Sequence, residues 1–182
     1  PMAEVLRANL EKIEASNVHK RLELTKGQYI LLSAHREENI DTDCNFLQLF
    51  TAVNAMAERY DMPILYSCHP RSRKRLEATE FRLDSRVIAH EPLGFHDYNC
   101  LQMNAFAVVS DSGTLPEESS FFLSIGKPFP AVSIRTSTER PEALDAGCFV
   151  LAGIDAESLL QGVEMAVQMQ QEGCFGTPVA DY

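Results

Sequence analysis

The sequence has no apolar run near the roughly 18 residues that a membrane-spanning helix needs, although 45% of its 182 residues are hydrophobic. It has five cysteines and no C-x-x-C pair, which favours free thiols in a reducing compartment over a disulfide framework or zinc site. Basic residues are not in excess, since the net charge is −10, and this disfavours a general nucleic-acid partner. These absences predict a cytoplasmic protein that binds neither membrane nor nucleic acid.

Several motifs that carry chemistry are also absent. The sequence has no G-x-G-x-x-G and no P-loop lysine, so NAD-type and Walker-type sites are not indicated. Without G-x-S-x-G, no serine is expected to act as a hydrolase nucleophile. No cluster of histidine, cysteine and carboxylate residues has metal-ligand spacing, and the D-T-D stretch at 41–43 is interpreted as a helix N-cap cluster. We therefore expect no cofactor and no metal.

What the sequence does contain is a regular alternation of strand-like and helix-like segments. Apolar runs of strand length are bounded by turn residues, and amphipathic helical patterns separate them. Strands are predicted at 28–34, 62–68, 86–90, 105–110, 129–134 and 148–152. Helices are predicted at 3–16, 43–60, 70–78, 95–104, 114–122, 140–146 and 156–171. The alternation predicts one α/β domain with a Rossmann-like, mostly parallel sheet of about six strands and helices on both faces.

Polar and charged residues follow the predicted strands, at the sheet edge where ligands bind in such folds. These segments are H-R-E-E-N (35–39), H-P-R-S-R-K-R (69–75), E-P-L-G-F-H-D-Y (91–98), D-S-G-T-L-P-E-E (111–118) and R-T-S-T-E-R-P-E (135–142). Loops are polar in most proteins, but that general tendency does not explain why three of these segments contain histidine and three contain arginine. The pattern favours a ligand site at this edge.

The segment V-V-S-D-S-G-T-L-P-E-E-S-S (108–120) leaves a strand and enters a helix. The first N–H groups of a helix are unpaired and electropositive, and Gly113 allows a phosphate to approach the backbone closely. Glu118, about one turn into the helix, could accept hydrogen bonds from two ribose hydroxyls. The pattern suits a nucleoside diphosphate. The alternative, from the residues alone, is a capped helix with glutamates in its first turn.

Four motifs follow one another along the chain: S-A-H-R-E-E-N (33–39), H-P-R (69–71), S-D-S-G-T-L-P-E-E-S-S (110–120) and R-T-S-T-E-R-P-E-A-L-D-A-G (135–147). Together they resemble the non-hydrolysing UDP-N-acetylglucosamine 2-epimerases. The third motif, with P-L-G-F-H-D-Y-N-C-L-Q-M-N-A-F before it, is most similar to the branch that makes acetamido sugars for capsule and O-antigen. The resemblance implies that residues 1–182 form the C-terminal domain of a two-domain GT-B arrangement, whose active site lies between the domains.

The resemblance also implies roles for individual residues. His35 and Arg140 correspond to groups at the catalytic centre, near the sugar and the departing diphosphate. The main-chain amides of Ser112 and Gly113 correspond to the pyrophosphate site, and Glu118 corresponds to the carboxylate that binds ribose. The other implied substrate-binding residues are Arg36, His69 and Arg71.

The implied reaction is elimination of UDP to give a 2-acetamidoglucal, followed by re-addition with the opposite configuration at C2. The family's acid and base groups lie largely in the N-terminal domain, so this chain would hold the leaving UDP by electrostatic contacts. The resemblance thus implies a UDP-sugar substrate, an N-terminal domain of the same protein as partner, and a homodimer for the full-length enzyme. The chain alone is expected to be inactive.

Two other classes of protein remain open. The donor-binding domain of a GT-B glycosyltransferase would use the same fold and a similar ribose carboxylate. A regulatory module of flavodoxin-like shape would use Asp111, at a strand end, as a phospho-acceptor. That second class needs a lysine after a neighbouring strand, whereas Lys127 precedes a strand.

Overall fold

Six parallel strands form one sheet in the computed structural model, which describes residues 1–40, 42–134 and 149–173. Their spatial order is β3-β2-β1-β4-β5-β6, and each neighbouring pair is parallel. The predicted α/β sheet is confirmed, and each described strand lies within its predicted range. The strands are β1 Ile30–Ser33, β2 Ile64–Ser67, β3 Val87–His90, β4 Ala107–Ser110, β5 Ala131–Ile134 and β6 Val150–Ala152.

Helices connect the strands and cover both faces of the sheet. Two four-residue helices, α2 and α3, were not predicted, because a single turn is too short to show helical periodicity. The predicted helix at 140–146 lies outside the described residues. The helices in the described residues are α1 Met2–Glu14, α2 Val18–Arg21, α3 Glu37–Ile40, α4 Asp43–Tyr60, α5 Pro70–Thr79, α6 Phe95–Met103, α7 Leu115–Ser124 and α8 Ala156–Gln171.

Successive strand side chains point alternately into two hydrophobic clusters, one on each face. Leu31 pairs in register with Leu65 on one side and Val108 on the other, and all three pack under α1, α6 and α7. Ile30 and Leu32 belong to the opposite cluster, under α4 and α8. Because both faces are covered, the central strands read in the sequence as continuous apolar runs.

Helix α8 approaches the sheet closely at Gly162. A Cβ placed on Gly162 would lie 2.9 Å from the Cβ of Ala152 and 3.5 Å from Cγ1 of Val132. The first distance is shorter than carbon atoms tolerate without a shift of the backbone. Glycine therefore permits α8 to rest directly on β5 and β6.

In the D-T-D stretch, Asp41 lies outside the described residues, Thr42 takes the N-cap position of α4 with no hydrogen bond from its side chain, and Asp43 is the first residue of the helix. Asp43 forms an ion pair with Arg75 of α5. The Arg75 guanidinium also lies 5.4 Å from the ring centroid of Phe46. Asp43, expected as part of the cap, instead ties α4 to α5.

The cysteines that the structure describes are Cys44, Cys68 and Cys100, and all three are free thiols, as predicted. Cys148 and Cys174 lie outside the described residues. Across the described ranges, no helix is long and apolar enough to cross a membrane. In the same ranges, no group of three or more histidine, cysteine or acidic residues is placed to hold a metal ion.

Candidate functional site

The direction of the strand order reverses between β1 and β4, which are neighbours at the centre of the sheet. Ser33 of β1 pairs with Ser110 at the carboxyl ends of the two strands. The chain then leaves β1 toward α4 on one face and leaves β4 toward α7 on the other. Such a switch point opens a crevice that binds ligands in open α/β sheets. His35, Arg36, Ser112 and Gly113 follow these two strands and therefore lie at its rim.

The carboxylate of Asp111 joins the loops that follow β1 and β4. It accepts hydrogen bonds from the backbone N–H of His35 at 3.0 and 2.9 Å and from the backbone N–H of Arg36 at 2.8 Å. It also accepts one from Nδ2 of Asn39 at 3.0 Å. In return, Nε of Arg36 donates to the main-chain oxygen of Asp111 at 2.9 Å. Several bonds to one carboxylate hold the two loops in a single arrangement.

These contacts bear on the phospho-acceptor alternative. Asp111 is only 1% exposed, and its carboxylate faces the β1 loop instead of the solvent. A phospho-acceptor must present its oxygen to an incoming phosphoryl group. The buried position of Asp111 therefore does not support a regulatory phospho-acceptor module.

The imidazole rings of His35 and His69 lie edge to face, with their centroids 6.5 Å apart. The pKa of His35 is lowered, chiefly because the protein partly desolvates the ring. The charge of Asp111 opposes this shift, and His69 adds to it. The lowered pKa favours the neutral form of the His35 ring near pH 7, and a bound anion would raise that pKa.

His69 also has a local structural task, since it caps helix α5. Its Nδ1 accepts a hydrogen bond from the backbone N–H of Arg71 at 3.2 Å, and Pro70 follows it in the first turn. Arg71 is exposed in that turn. Farther along α5, Arg73 donates to the main-chain oxygen of Ala89 at 2.8 Å. The substrate-binding roles of His69 and Arg71 remain predictions.

The turn from β4 into α7 is held by its own small polar side chains. Oγ of Ser110 accepts from the backbone N–H of Ser112 at 3.0 Å, and Oγ of Ser112 accepts from that of Thr114 at 3.3 Å. The amide of Ser112, expected at the pyrophosphate, is thus occupied within the protein. The backbone N–H of Gly113 makes no hydrogen bond within the described ranges. Of the two amides predicted to hold the pyrophosphate, that of Gly113 is therefore the one left for a ligand.

Glu118 lies beneath this turn and is only 7% exposed. Its Oε2 accepts from Nε2 of Gln102 at 2.8 Å, and its Oε1 accepts from Oγ1 of Thr114 at 2.8 Å. Burial raises the pKa of the Glu118 carboxyl, and these two hydrogen bonds oppose the shift. The carboxylate is therefore placed one turn into α7 with a fixed orientation.

Two residues that hold this site together, Asp111 and Gln102, were not among the site residues predicted from the sequence. The sequence indicates Asp111 only as a strand-end carboxylate, because the first of its donors, the amide of His35, lies 76 residues earlier in the chain. Gln102 is fully buried in α6, and although it belongs to the P-L-G-F-H-D-Y-N-C-L-Q-M-N-A-F stretch, nothing in that pattern indicates a contact with Glu118. Arg140, predicted at the catalytic centre, lies outside the described residues.

Comparisons with known proteins show the family to which the chain belongs. A family model described as UDP-N-acetylglucosamine 2-epimerase matches residues 1–178. A UDP-N-acetylglucosamine 2-epimerase of Methanococcus maripaludis is 36% identical over 165 residues, which are 87% of this chain and 43% of that protein. The chain thus spans less than half the length of this relative.

Solved structures lead to the same family. The structure of UDP-N-acetylglucosamine 2-epimerase from Rickettsia bellii matches with 35% identity and a TM-score of 0.77, over 92% of this chain and 43% of that one. The Methanocaldococcus jannaschii UDP-GlcNAc 2-epimerase in complex with UDP-GlcNAc and UDP matches with 29% identity and a TM-score of 0.79, over 91% of this chain and 46% of that one. The chain belongs to the UDP-N-acetylglucosamine 2-epimerase family.

Proposed function

We propose that this chain is the UDP-binding half of an enzyme that interconverts UDP-N-acetylglucosamine, or a related UDP-acetamido sugar, and its C2 epimer. The observation that carries the proposal is the placement of Glu118, a buried carboxylate one turn into α7, below the turn from β4 into α7 at the switch point of the sheet. Family membership, shown by a model that matches residues 1–178, supports the reaction class.

The nucleotide would lie across the β1–β4 crevice. The pyrophosphate would meet the open amide of Gly113 and the electropositive start of α7. The ribose would reach Oε1 of Glu118, on the side where Thr114 is only half-buried. An acceptor-only carboxylate suits two hydroxyl donors and repels phosphate. With the ribose at Glu118, the diphosphate end of the nucleotide would point toward His35.

In the proposed reaction a base removes the proton from C2 of the sugar while the bond between C1 and the UDP oxygen breaks. UDP leaves with the bonding electrons, and a 2-acetamidoglucal remains. Re-addition of UDP to C1, with a proton delivered to the other face of C2, gives the epimer. Negative charge grows on the departing diphosphate, and His35, Arg36 and Arg140 are the proposed groups that meet it.

The proton-transfer groups would come from a second domain. We propose that residues 1–182 act as the C-terminal domain of a longer protein, with the N-terminal domain forming the facing wall of the cleft. A homodimer of that longer protein, in the cytoplasm and serving cell-surface polysaccharide synthesis, is part of the same proposal. Free thiols at Cys44, Cys68 and Cys100 support a reducing compartment.

The test uses the longer protein that carries this chain. It is incubated in heavy water with UDP-N-acetylglucosamine and no sugar acceptor, and the C2 proton is followed by NMR. We expect epimer formation together with deuterium incorporation at C2. If sugar is instead transferred only after an acceptor is added, a glycosyltransferase is indicated and the epimerase proposal is wrong.

A further inference from the structure

Gln102 spans the gap between α6 and α7 at the base of the candidate ribose site. It is fully buried, with 0% exposure. Its Nε2 donates to Oε2 of Glu118 at 2.8 Å and to Oδ1 of Asn99 at 3.2 Å. Both protons of the side-chain amide are therefore used, and one of them reaches the carboxylate on which the proposed ribose contact depends.

The direction of the Gln102 amide is set by its neighbour. Nδ2 of Asn99 donates to the main-chain oxygen of Phe95 at 3.0 Å, so the oxygen of the Asn99 side chain must face Gln102. Gln102 then has to present its nitrogen to Asn99 and to Glu118. The result is a directed series of hydrogen bonds that runs from the first turn of α6 to Glu118 in α7.

Within the described residues, this arrangement leaves Oε1 of Gln102 buried without a hydrogen-bond partner. An unmet buried acceptor is unfavourable, and an apolar side chain of similar size would avoid it. In exchange, Gln102 supplies a hydrogen-bond donor to Glu118, and this donor stabilises the charged carboxylate that burial disfavours. The unpaired oxygen of Gln102 therefore indicates that this residue serves to orient Glu118 and not only to fill the core.

The two oxygens of Glu118 have different surroundings. Oε2 faces inward to fully buried Gln102, whereas Oε1 faces half-buried Thr114 at the rim. The hydroxyls of Ser112 and Thr114 are 3.0 Å apart, and because Thr114 donates to Glu118, Ser112 donates to Thr114. A ligand hydroxyl that approaches from the rim would meet Oε1, beside Thr114, before it met Oε2, beside buried Gln102.

We propose that Gln102 is a positioning residue that holds Oε2 of Glu118 so that Oε1 accepts a ribose hydroxyl, which makes the site selective for ribonucleotides over 2′-deoxyribonucleotides. The inference rests on the proposed ribose role of Glu118. Without the inner donor, the carboxylate would be free to rotate or to take up a proton. Affinity for the ribose would then fall while affinity for the diphosphate stayed.

The test compares binding of UDP and 2′-deoxy-UDP to the 182-residue chain by calorimetry. For the unmodified chain we expect UDP to bind on the order of tenfold more tightly, as for a hydrogen bond to a charged group. In Gln102→Met the preference should shrink to about twofold or less, through weaker UDP binding and nearly unchanged 2′-deoxy-UDP binding. Gln168→Met is the matched control, because Gln168 is an exposed residue of α8 that donates to Glu172 at 3.2 Å, and its replacement should change neither affinity.

Glu118→Gln separates this inference from the proposed function. Loss of the preference in both Glu118→Gln and Gln102→Met supports both. Loss in Glu118→Gln with the preference intact in Gln102→Met overturns the role of Gln102 and leaves the ribose site standing. Equal affinities for the two nucleotides in the unmodified chain overturn the ribose site itself.

A second readout distinguishes positioning from a purely structural role. Carbon-13 NMR of the glutamate carboxyls should show a higher pKa for Glu118 in Gln102→Met than in the unmodified chain, because a donor to the charged form is lost. If Gln102→Met does not fold, Gln102→Asn keeps a buried amide that is one methylene too short to reach Glu118. An unchanged Glu118 pKa and an unchanged nucleotide preference in that variant would overturn the inference.

Discussion

Both carboxylate oxygens of Asp111 lie within hydrogen-bond distance of the His35 amide, at 3.0 and 2.9 Å. Asp111 thereby sets the backbone position of His35, and its charge also raises the pKa of the His35 ring against the opposing effect of desolvation. One buried side chain thus influences both the place and the protonation of a proposed catalytic group.

Replacing Asp111 by Asn should affect both properties. An amide can accept fewer of the bonds from His35, Arg36 and Asn39, so we expect a loss of about 2 to 3 kcal/mol in the free energy of unfolding, measured by urea denaturation. The His35 pKa should fall further, since the negative charge that raises it is gone. Histidine NMR titration checks this, and an unchanged His35 pKa in a folded Asp111→Asn variant would contradict the prediction.

Removal of the Glu118 carboxylate should affect the nucleoside more than the phosphates. In Glu118→Ala we expect UDP affinity to fall on the order of tenfold and pyrophosphate affinity to change little, because the proposed partner of Glu118 is ribose. Glu117→Ala, in the same turn of α7, is the control. Calorimetric titrations that show equal losses for UDP and pyrophosphate would refute the ribose contact.

The raised pKa of Glu118 predicts how stability depends on pH. Its folded-state pKa lies above the ordinary value of 4.5, so the folded state binds the proton more tightly than the unfolded state does. The contribution of this group to stability is therefore present below pH 4.5 and is lost as the pH rises through the folded-state pKa. Nearby Tyr98 has a pKa that is itself raised by burial, so it does not titrate in this range.

Glu118→Gln removes this titration. The free energy of unfolding of the unmodified chain, minus that of the variant, should decrease as the pH rises from about 4 to 8. Chemical denaturation at several pH values measures the difference. A difference that grows with pH would mean that Glu118 is held in its charged form by the fold, contrary to the effect of its burial.

His35 and Arg140 are proposed to meet charge that develops on the departing UDP. In the proposed longer protein, His35→Ala or Arg140→Ala should lower turnover on the order of 10²-fold, as for loss of one charge-stabilising group. KM should change less, because the charge grows only as the C1–O bond breaks. A variant that raises KM while turnover stays constant would assign the residue to ground-state binding instead.

Close contact between α8 and the sheet makes Gly162 sensitive to a single methyl group. Gly162→Ala would place a Cβ 2.9 Å from that of Ala152, and we expect a loss of about 1 to 3 kcal/mol in the free energy of unfolding. Gly94→Ala is the control, because a Cβ there meets nothing within 4 Å. Thermal denaturation that shows equal stability for the two variants would contradict the packing argument.

Local patterns predicted the parts of the fold that are long and periodic. Helix α4 was predicted at 43–60 and α8 at 156–171, and both bounds are confirmed. The four-residue helices α2 and α3 were missed, since they carry no periodic signal. For the site, the crevice residues could be predicted because parallel strands bring their carboxyl ends to one edge.

The interactions that hold the site could not be predicted in the same way. Asp111 reaches amides 76 and 75 residues earlier in the chain, and Gln102 reaches a carboxylate on a different helix. Such pairings depend on how helices settle on the sheet, and neither residue type indicates its partner. Sequence patterns could thus indicate a candidate site at this edge of the sheet, but not the hydrogen bonds that orient its side chains.

The long sequence separation between Asp111 and its donors has a consequence for the order of folding. Residues 35–39 can form their strand-end loop early, but their anchor is made only after β4 has been synthesised and inserted beside β1. Closing so long a loop is entropically costly before the intervening strands pair. The crevice should therefore be assembled late in folding. During refolding, the amides of His35 and Arg36 should become protected from hydrogen exchange only when the amides of the central strands become protected.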